Sequence, residues 1–138
     1  MIHKKISVKI GEHHPTAEIT TYMIGNSEEL YDGRLRPLII ICPGGGYEMT
    51  SDREAEGIAL KFMAMGYHAA VLRYSVKPAV YPTALLQLAA TVKYFRENSD
   101  KYYIDADKII ICGFSAGGHL VASYGNSWNK AQFTNNRA

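Results

Sequence analysis

The chain has 138 residues, of which 47% are hydrophobic and 20% are charged, as in an ordinary globular domain. This composition excludes a disordered tail, a collagen-like chain and a disulfide scaffold. Fifteen Lys and Arg residues against thirteen Asp and Glu residues give a net charge of +2, and the basic residues are scattered except at Lys4 and Lys5. We therefore expect no nucleic-acid partner and no membrane partner.

The first elements in the chain predict an antiparallel hairpin. Ile6, Val8 and Ile10 alternate with polar residues, which is the period of a half-buried strand. Residues 17–24 can pair back on this strand through a turn that starts at Gly11.

A strand and a helix are predicted next. The apolar run 37–42 indicates a strand buried on both faces, and it ends abruptly at the glycine-rich segment 43–47. A helix should follow over residues 51–66, because Ser51 and Glu54 have the spacing of a capping box, in which each satisfies a backbone donor of the other.

The remaining elements repeat this alternation. Residues 69–72 predict a strand, Pro82 suits the first turn of a helix, residues 108–112 predict another strand, and residues 119–124 can continue as a helix. A hairpin followed by strand, helix, strand, helix, strand and helix indicates an α/β fold with a largely parallel sheet and helices on its faces.

The N-terminal residues and the cysteines bear on the cellular compartment. The start of the chain alternates polar and apolar residues and lacks the apolar core of a signal peptide, and no stretch reaches the length of a membrane span. Cys42 and Cys112 each end an apolar run, without the spacing of a metal or redox site. We expect a cytoplasmic protein with two buried, reduced cysteines and no metal.

A serine lies at the turn between the last predicted strand and helix. Residues 113–117 match G-x-S-x-G, and a nucleophile on such a strained turn needs small residues two positions before and after it. Gly113 and Gly117 meet that need, so Ser115 is the candidate catalytic nucleophile. Two simpler interpretations remain: a tight turn with a serine cap, and a phosphate-binding turn, although the spacing of dinucleotide and Walker-A motifs is missing.

Three consecutive glycines, Gly44 to Gly46, follow the first buried strand. Glycine suits an oxyanion hole because a substrate oxygen must reach bare backbone N–H groups. A flexible loop would be the simpler interpretation of these glycines alone. The serine turn downstream favours the oxyanion hole.

These segments together resemble one enzyme family. The CPGGGY segment at 42–47, the RYS segment at 73–75 and the IIICGFSAGGHL segment at 109–120 are similar to α/β-hydrolase esterases related to acetyl esterases, acetylxylan esterases and hormone-sensitive lipase. The similarity is clearest from Pro37 to about Tyr124. Pro43 stands where many relatives have histidine, but backbone donors do not depend on that side chain.

The resemblance implies a fold, a reaction and a set of site residues. The fold is the α/β-hydrolase fold, a three-layer sandwich whose N-terminal antiparallel hairpin precedes parallel strands with crossover helices. The reaction is hydrolysis of short-chain acyl esters, such as acetyl groups on sugars or xylan fragments, through an acyl-enzyme without a cofactor. Ser115 would be the nucleophile, and the N–H groups of Gly45, Gly46 and Ala116 would form the oxyanion hole. Tyr47 would line the acyl or leaving-group pocket, or pack on the sheet.

The catalytic acid and base of such an enzyme are missing from the sequence pattern. In this fold they follow the nucleophile, yet the 23 residues after Ser115 contain no Asp or Glu and a single histidine, His119, which should pack beside the turn. We expect the acid and the histidine to lie outside this chain. Residues 1–138 would then form one domain that is incomplete at its C-terminal end and lacks the C-terminal strands, leaving strand 108–112 with an open apolar edge.

The other histidines are expected in surface or loop positions: His3, His13, His14 and His68.

Two alternative functions stay open. A peptidase or an arylformamidase can use the same serine turn. A non-catalytic binding module would explain the missing acid and base. The expected partner is a small-molecule ester, and self-association into a homo-oligomer is a further alternative.

Overall fold

The computed structural model describes residues 1–30 and 32–127. Its strands and helices follow the predicted order, with one additional short helix, α3. The elements are β1 (Lys5–Val8), β2 (Ala17–Tyr22), β3 (Arg36–Cys42), α1 (Glu56–Ala64), β4 (His68–Arg73), α2 (Thr83–Glu97), α3 (Ser99–Tyr102), β5 (Ile104–Gly113) and α4 (Ala116–Ser127).

The described strands form one sheet in the order β1-β2-β4-β3-β5. The β1–β2 and β2–β4 pairs are antiparallel, whereas β3 pairs in parallel with both β4 and β5. The sheet is thus mixed instead of largely parallel, because the hairpin adds two antiparallel pairings. Parallel pairing brings the C-terminal ends of β3 and β5 together, with Cys42 opposite Gly113, so the two glycine-rich turns lie side by side.

Helices cover both faces of the sheet. Successive residues of β3 point to opposite faces, so Leu38 and Ile40 belong to the core under α2 and α4, while Ile39 and Ile41 belong to the core under α1. All four side chains are buried. The predicted three-layer α/β architecture is confirmed.

Strand β5 is the edge of the described sheet, as the sequence predicted. Its Ile110 side chain is 44% exposed. Cys42 is buried and Cys112 is half-buried, less than predicted; both are free thiols on the adjoining strands β3 and β5. Burial raises the pKa of each thiol above its ordinary value.

The entry to α1 differs from the predicted capping box. The Ser51 hydroxyl accepts a hydrogen bond from the Arg53 N–H (3.3 Å), but the Glu54 carboxylate accepts from the N–H of Gly44 (3.2 Å) and not from Ser51. A 3-10 turn over Asp52–Glu54 precedes α1. The predicted reciprocal cap is wrong, because the buried backbone N–H of Gly44 needs an acceptor and donates to the Glu54 carboxylate.

His68 also departs from expectation, since it is buried. It starts β4, which lies between β2 and β3. Its Nδ1 accepts a hydrogen bond from the Ile24 N–H (3.2 Å), which assigns the ring proton to Nε2, 3.1 Å from the Tyr103 carbonyl oxygen. The sequence interpretation failed because a histidine between a glycine turn and an apolar run also fits the first position of a central strand.

Within residues 1–30 and 32–127, no helix combines the length and the apolar character needed to cross a bilayer.

Candidate active site

Ser115 sits at the turn between β5 and α4, with an exposed side chain. Its φ of 54° lies in the left-handed region, which is costly for a residue with a Cβ atom. A Cβ at Gly113 would lie 2.2 Å from the Gly117 carbonyl oxygen, and a Cβ at Gly117 would lie 2.0 Å from the Cys42 carbonyl oxygen. The positions two before and two after Ser115 therefore exclude side chains, as the G-x-S-x-G motif predicts.

The glycine loop after β3 touches this turn through its backbone. A Cβ at Gly44 would lie 2.6 Å from the Phe114 carbonyl oxygen and 2.9 Å from the Ser115 Cβ. Gly45 and Gly46 have φ of 144° and 66°, values that favour glycine. Contact between the two turns thus requires glycine at Gly44, and the path of the loop favours it at the next two positions.

Three backbone donors near Ser115 lack a protein acceptor among the residues that the structure describes. They are the N–H groups of Gly45, Gly46 and Ala116, whereas Gly44 donates to Glu54. Ala116 is the first residue of α4, whose N-terminus carries a partial positive charge. The three N–H groups predicted to form the oxyanion hole therefore lie on the two turns that touch at Ser115. No described protein group accepts a hydrogen bond from them.

A largely apolar pocket of about 320 Å³ opens beside the two turns. Tyr47, directly after the glycine loop, and His119, one helical turn after Ser115, both line it. The Tyr47 hydroxyl lies 2.8 Å from Nδ1 of His119, and the two rings meet edge to face. Other lining residues include Val80, Tyr81, Leu85 and Leu120.

Tyr47 makes two further contacts that bear on its predicted place at the pocket. Its ring lines the pocket and also packs edge-on against Tyr74, with ring centroids 6.0 Å apart. Burial raises the pKa of the Tyr47 phenol, so the hydroxyl remains protonated.

The His119 ring makes no hydrogen bond to the Ser115 hydroxyl. Its ring is engaged with Tyr47, and its backbone N–H donates to the Ser115 carbonyl oxygen (3.0 Å) as part of α4. Across residues 1–30 and 32–127, no three His, Cys, Asp or Glu side chains cluster closely enough to hold a metal ion. The described residues therefore bring together a serine and backbone donors but pair no imidazole with that serine.

The sequence did not predict the contacts of two residues near the site, Tyr74 and Glu54. The Tyr74 hydroxyl donates to the Pro43 carbonyl oxygen, and Glu54 accepts from Gly44. The RYS segment at 73–75 marked Tyr74 as part of the family resemblance, but no local pattern assigned it a contact. Glu54 was assigned to a helix cap.

Comparison with known proteins supports this fold. The family model described as BD-FAE matches residues 29–138. Endo-1,4-beta-xylanase B from Butyrivibrio fibrisolvens is 36% identical over 92 residues, which are 64% of this chain and 14% of the xylanase.

Two crystal structures extend the similarity. The carboxylesterase Cest-2923 from Lactobacillus plantarum WCFS1 is 34% identical, with a TM-score of 0.87 over 99% of this chain and 50% of the carboxylesterase. The acetyl ester-xyloside bifunctional hydrolase from Caldicellulosiruptor lactoaceticus is 35% identical, with a TM-score of 0.73 over 79% of this chain and 38% of that hydrolase. The chain spans half or less of the length of these relatives.

The match to the family model over most of the sequence, the shared fold and the esterase relatives lead to one assignment. The chain belongs to the BD-FAE family, and its described part forms part of the fold of a carboxylesterase-type α/β-hydrolase.

Proposed function

We propose that this chain supplies the nucleophile and the oxyanion hole of a serine carboxylic-ester hydrolase. The observation that carries the proposal is the backbone of Ser115, a left-handed serine held between two glycines whose Cβ positions are blocked by backbone atoms. A strained non-glycine residue persists only where its surroundings enforce it, and such residues concentrate at functional sites.

The proposed reaction has two steps. The Ser115 hydroxyl oxygen attacks the ester carbonyl carbon, its proton passes through a base to the leaving alkoxide, and the alcohol departs to leave an acyl-enzyme. Water then attacks the acyl group and releases the carboxylic acid, returning the proton to Ser115. During both steps the N–H groups of Gly45, Gly46 and Ala116 would stabilise the negative oxygen.

The base and the acid of this mechanism are proposed to lie outside the 138 residues. No Asp or Glu occurs among the 23 residues after Ser115, where the fold would carry the acid. His119 is the single histidine there, and its ring is hydrogen-bonded to Tyr47. We therefore assign His119 to the pocket wall.

The proposed substrates are short-chain acyl esters, with acetylated sugars or xylan fragments as candidates. The names of two relatives support this choice, one a xylanase and the other an acetyl ester-xyloside hydrolase. Tyr47 would then contact the acyl or the alcohol group, because it lines the pocket beside the proposed oxyanion loop.

The test is covalent labelling and turnover in the complete natural polypeptide. We expect a fluorophosphonate probe to modify Ser115, identified by peptide mass spectrometry, and p-nitrophenyl acetate to be hydrolysed. Ser115→Ala should abolish both, while Ser7→Ala, on the distant strand β1, should leave both unchanged.

Other outcomes point to the alternatives. No labelling in a protein shown to be folded would favour a binding module. Cleavage of formylated amines or peptides without cleavage of p-nitrophenyl acetate would instead favour an arylformamidase or a peptidase.

A further inference from the structure

The peptide unit that joins Pro43 to Gly44 is held at both of its polar atoms. Its carbonyl oxygen accepts a hydrogen bond from the Tyr74 hydroxyl, and its N–H donates to the Glu54 carboxylate at 3.2 Å. The next carbonyl, that of Gly44, accepts from the N–H of Ser51 at 2.8 Å. Two consecutive peptide groups of the glycine loop are thus fixed by three bonds to other segments.

Tyr74 is suited to hold this peptide rigidly. It directly follows β4, its side chain is buried, and its ring packs against Tyr47. Burial, reinforced by the neighbouring Cys42, Tyr47 and Glu54, raises the pKa of Tyr74 well above its ordinary value, so the hydroxyl stays a donor.

The preceding residue anchors the segment that carries Glu54. The Arg73 guanidinium donates to the Thr50 carbonyl oxygen (2.7 Å) and pairs with the Asp52 carboxylate (2.9 Å). The end of β4 therefore contacts the glycine loop through Tyr74 and the Glu54 segment through Arg73. Tyr74 and Glu54, the two residues that bond the Pro43–Gly44 peptide, are therefore both anchored at the C-terminal end of β4.

The held peptide lies immediately before the proposed oxyanion donors. Gly44 is packed against the Ser115 turn, since a Cβ atom on Gly44 would lie 2.9 Å from the Ser115 Cβ. The Gly45 N–H belongs to the next peptide, whose carbonyl Ser51 holds, and the Gly46 N–H belongs to the one after, whose carbonyl accepts from the N–H of Glu48 (3.1 Å). Both peptides start from the held Pro43–Gly44 peptide, so its orientation contributes to the direction of both N–H groups. Glycine has a wide choice of φ and ψ, so bonds to the loop are needed to fix this direction.

We propose that Tyr74 and Glu54 are positioning residues that orient the N–H groups of Gly45 and Gly46 toward the ester oxygen held at Ser115. The effect of this positioning on catalysis rests on the proposed function. Neither side chain needs to touch the substrate. Each acts through the Pro43–Gly44 peptide.

Kinetics of the complete natural polypeptide on p-nitrophenyl acetate test the proposal. We expect Tyr74→Phe to lower kcat by about 5- to 20-fold with KM within about twofold, because a displaced oxyanion donor weakens transition-state binding. Glu54→Gln keeps a carbonyl acceptor and should retain most of kcat, whereas Glu54→Leu should lose about tenfold or more. Tyr102→Phe removes the hydroxyl of another buried tyrosine, bonded to Tyr94, and should leave kcat unchanged.

A measurement that needs no activity separates this proposal from the proposed function. Amide hydrogen exchange and 15N relaxation of Gly45 and Gly46 should show faster exchange and larger motion in Tyr74→Phe and Glu54→Leu, but not in Tyr102→Phe. If the variants show this ordering but the wild type hydrolyses no ester, the proposed function fails and the positioning role stands. Unchanged Gly45 and Gly46 amides in both variants, or equal kcat loss in Glu54→Gln and Glu54→Leu, would overturn the positioning role.

Discussion

Gly117 and Cys42 approach each other so closely that a Cβ atom on Gly117 would lie 2.0 Å from the Cys42 carbonyl oxygen. The first turn of α4 therefore packs on the end of β3 backbone against backbone. This contact places the turn that carries Ser115 beside the glycine loop.

The contact predicts opposite outcomes for two adjacent glycines. Gly117→Ala should destabilise the protein by about 2 kcal/mol or more, because the methyl group collides with main-chain atoms that cannot move aside. Gly118→Ala should be neutral or stabilising by up to about 1 kcal/mol, since its nearest neighbour would be 3.4 Å away and alanine favours a helix. Urea unfolding of both variants measures the difference. Equal free energies of unfolding would contradict the backbone contact.

The left-handed backbone of Ser115 predicts a stability difference between two inactive variants. Ser115→Gly should be more stable than Ser115→Ala by about 1 kcal/mol, because only glycine adopts this φ without steric cost. Both variants should lack esterase activity and fluorophosphonate labelling. Thermal unfolding of the pair gives the comparison, and a more stable alanine variant would contradict a strained turn.

The sequence predicted the strands and the serine turn because their causes are local. Continuous apolar runs mark the buried strands β3 and β4, and the glycines around Ser115 are required by the turn itself. The start of β5 was missed, since residues 104–107 include two aspartates, and Leu38 pairs with Ile109 only after a register shift. A polar, bulged strand end has no hydrophobic period to detect.

The contacts that hold the glycine loop could not be predicted in the same way. Tyr74 and Pro43 are 31 residues apart, and a hydrogen bond from a side chain to a distant carbonyl leaves no periodic signal. Glu54 did fit a local rule, the capping box, but its carboxylate accepts a hydrogen bond from the buried Gly44 N–H instead. Tertiary demand for an acceptor thus overrode the local motif.

The open edge of the described sheet predicts self-association of the 138-residue chain. Ile110 on β5 is 44% exposed, and an apolar edge strand is a template for pairing with a second chain. Ile110→Lys should reduce the light scattering of concentrated solutions. Leu60→Lys removes a similarly exposed side chain, 47% exposed on α1, and should have little effect. Equal reductions would point to general hydrophobic association instead of edge pairing.

The buried His68 predicts a loss of stability at mildly acidic pH. Burial is the main cause that lowers the pKa of His68 below its ordinary 6.5, opposed by the hydrogen bond to the Tyr103 carbonyl. Its Nδ1 accepts from the Ile24 N–H, so protonation would also replace that acceptor by a second donor. The unfolded chain therefore binds a proton at a higher pH than the folded chain does.

The sign of the effect follows from this difference. Above pH 6.5 His68 is neutral in both states, and its contribution to stability is complete. As the pH falls below 6.5 the unfolded state gains the proton first, so the free energy of unfolding decreases. The urea midpoint should accordingly fall between pH 7 and pH 5. His68→Asn should flatten this part of the profile, whereas His13→Gln, on an exposed loop, should leave its slope unchanged. A wild-type slope that persists in His68→Asn would assign the pH dependence to other groups.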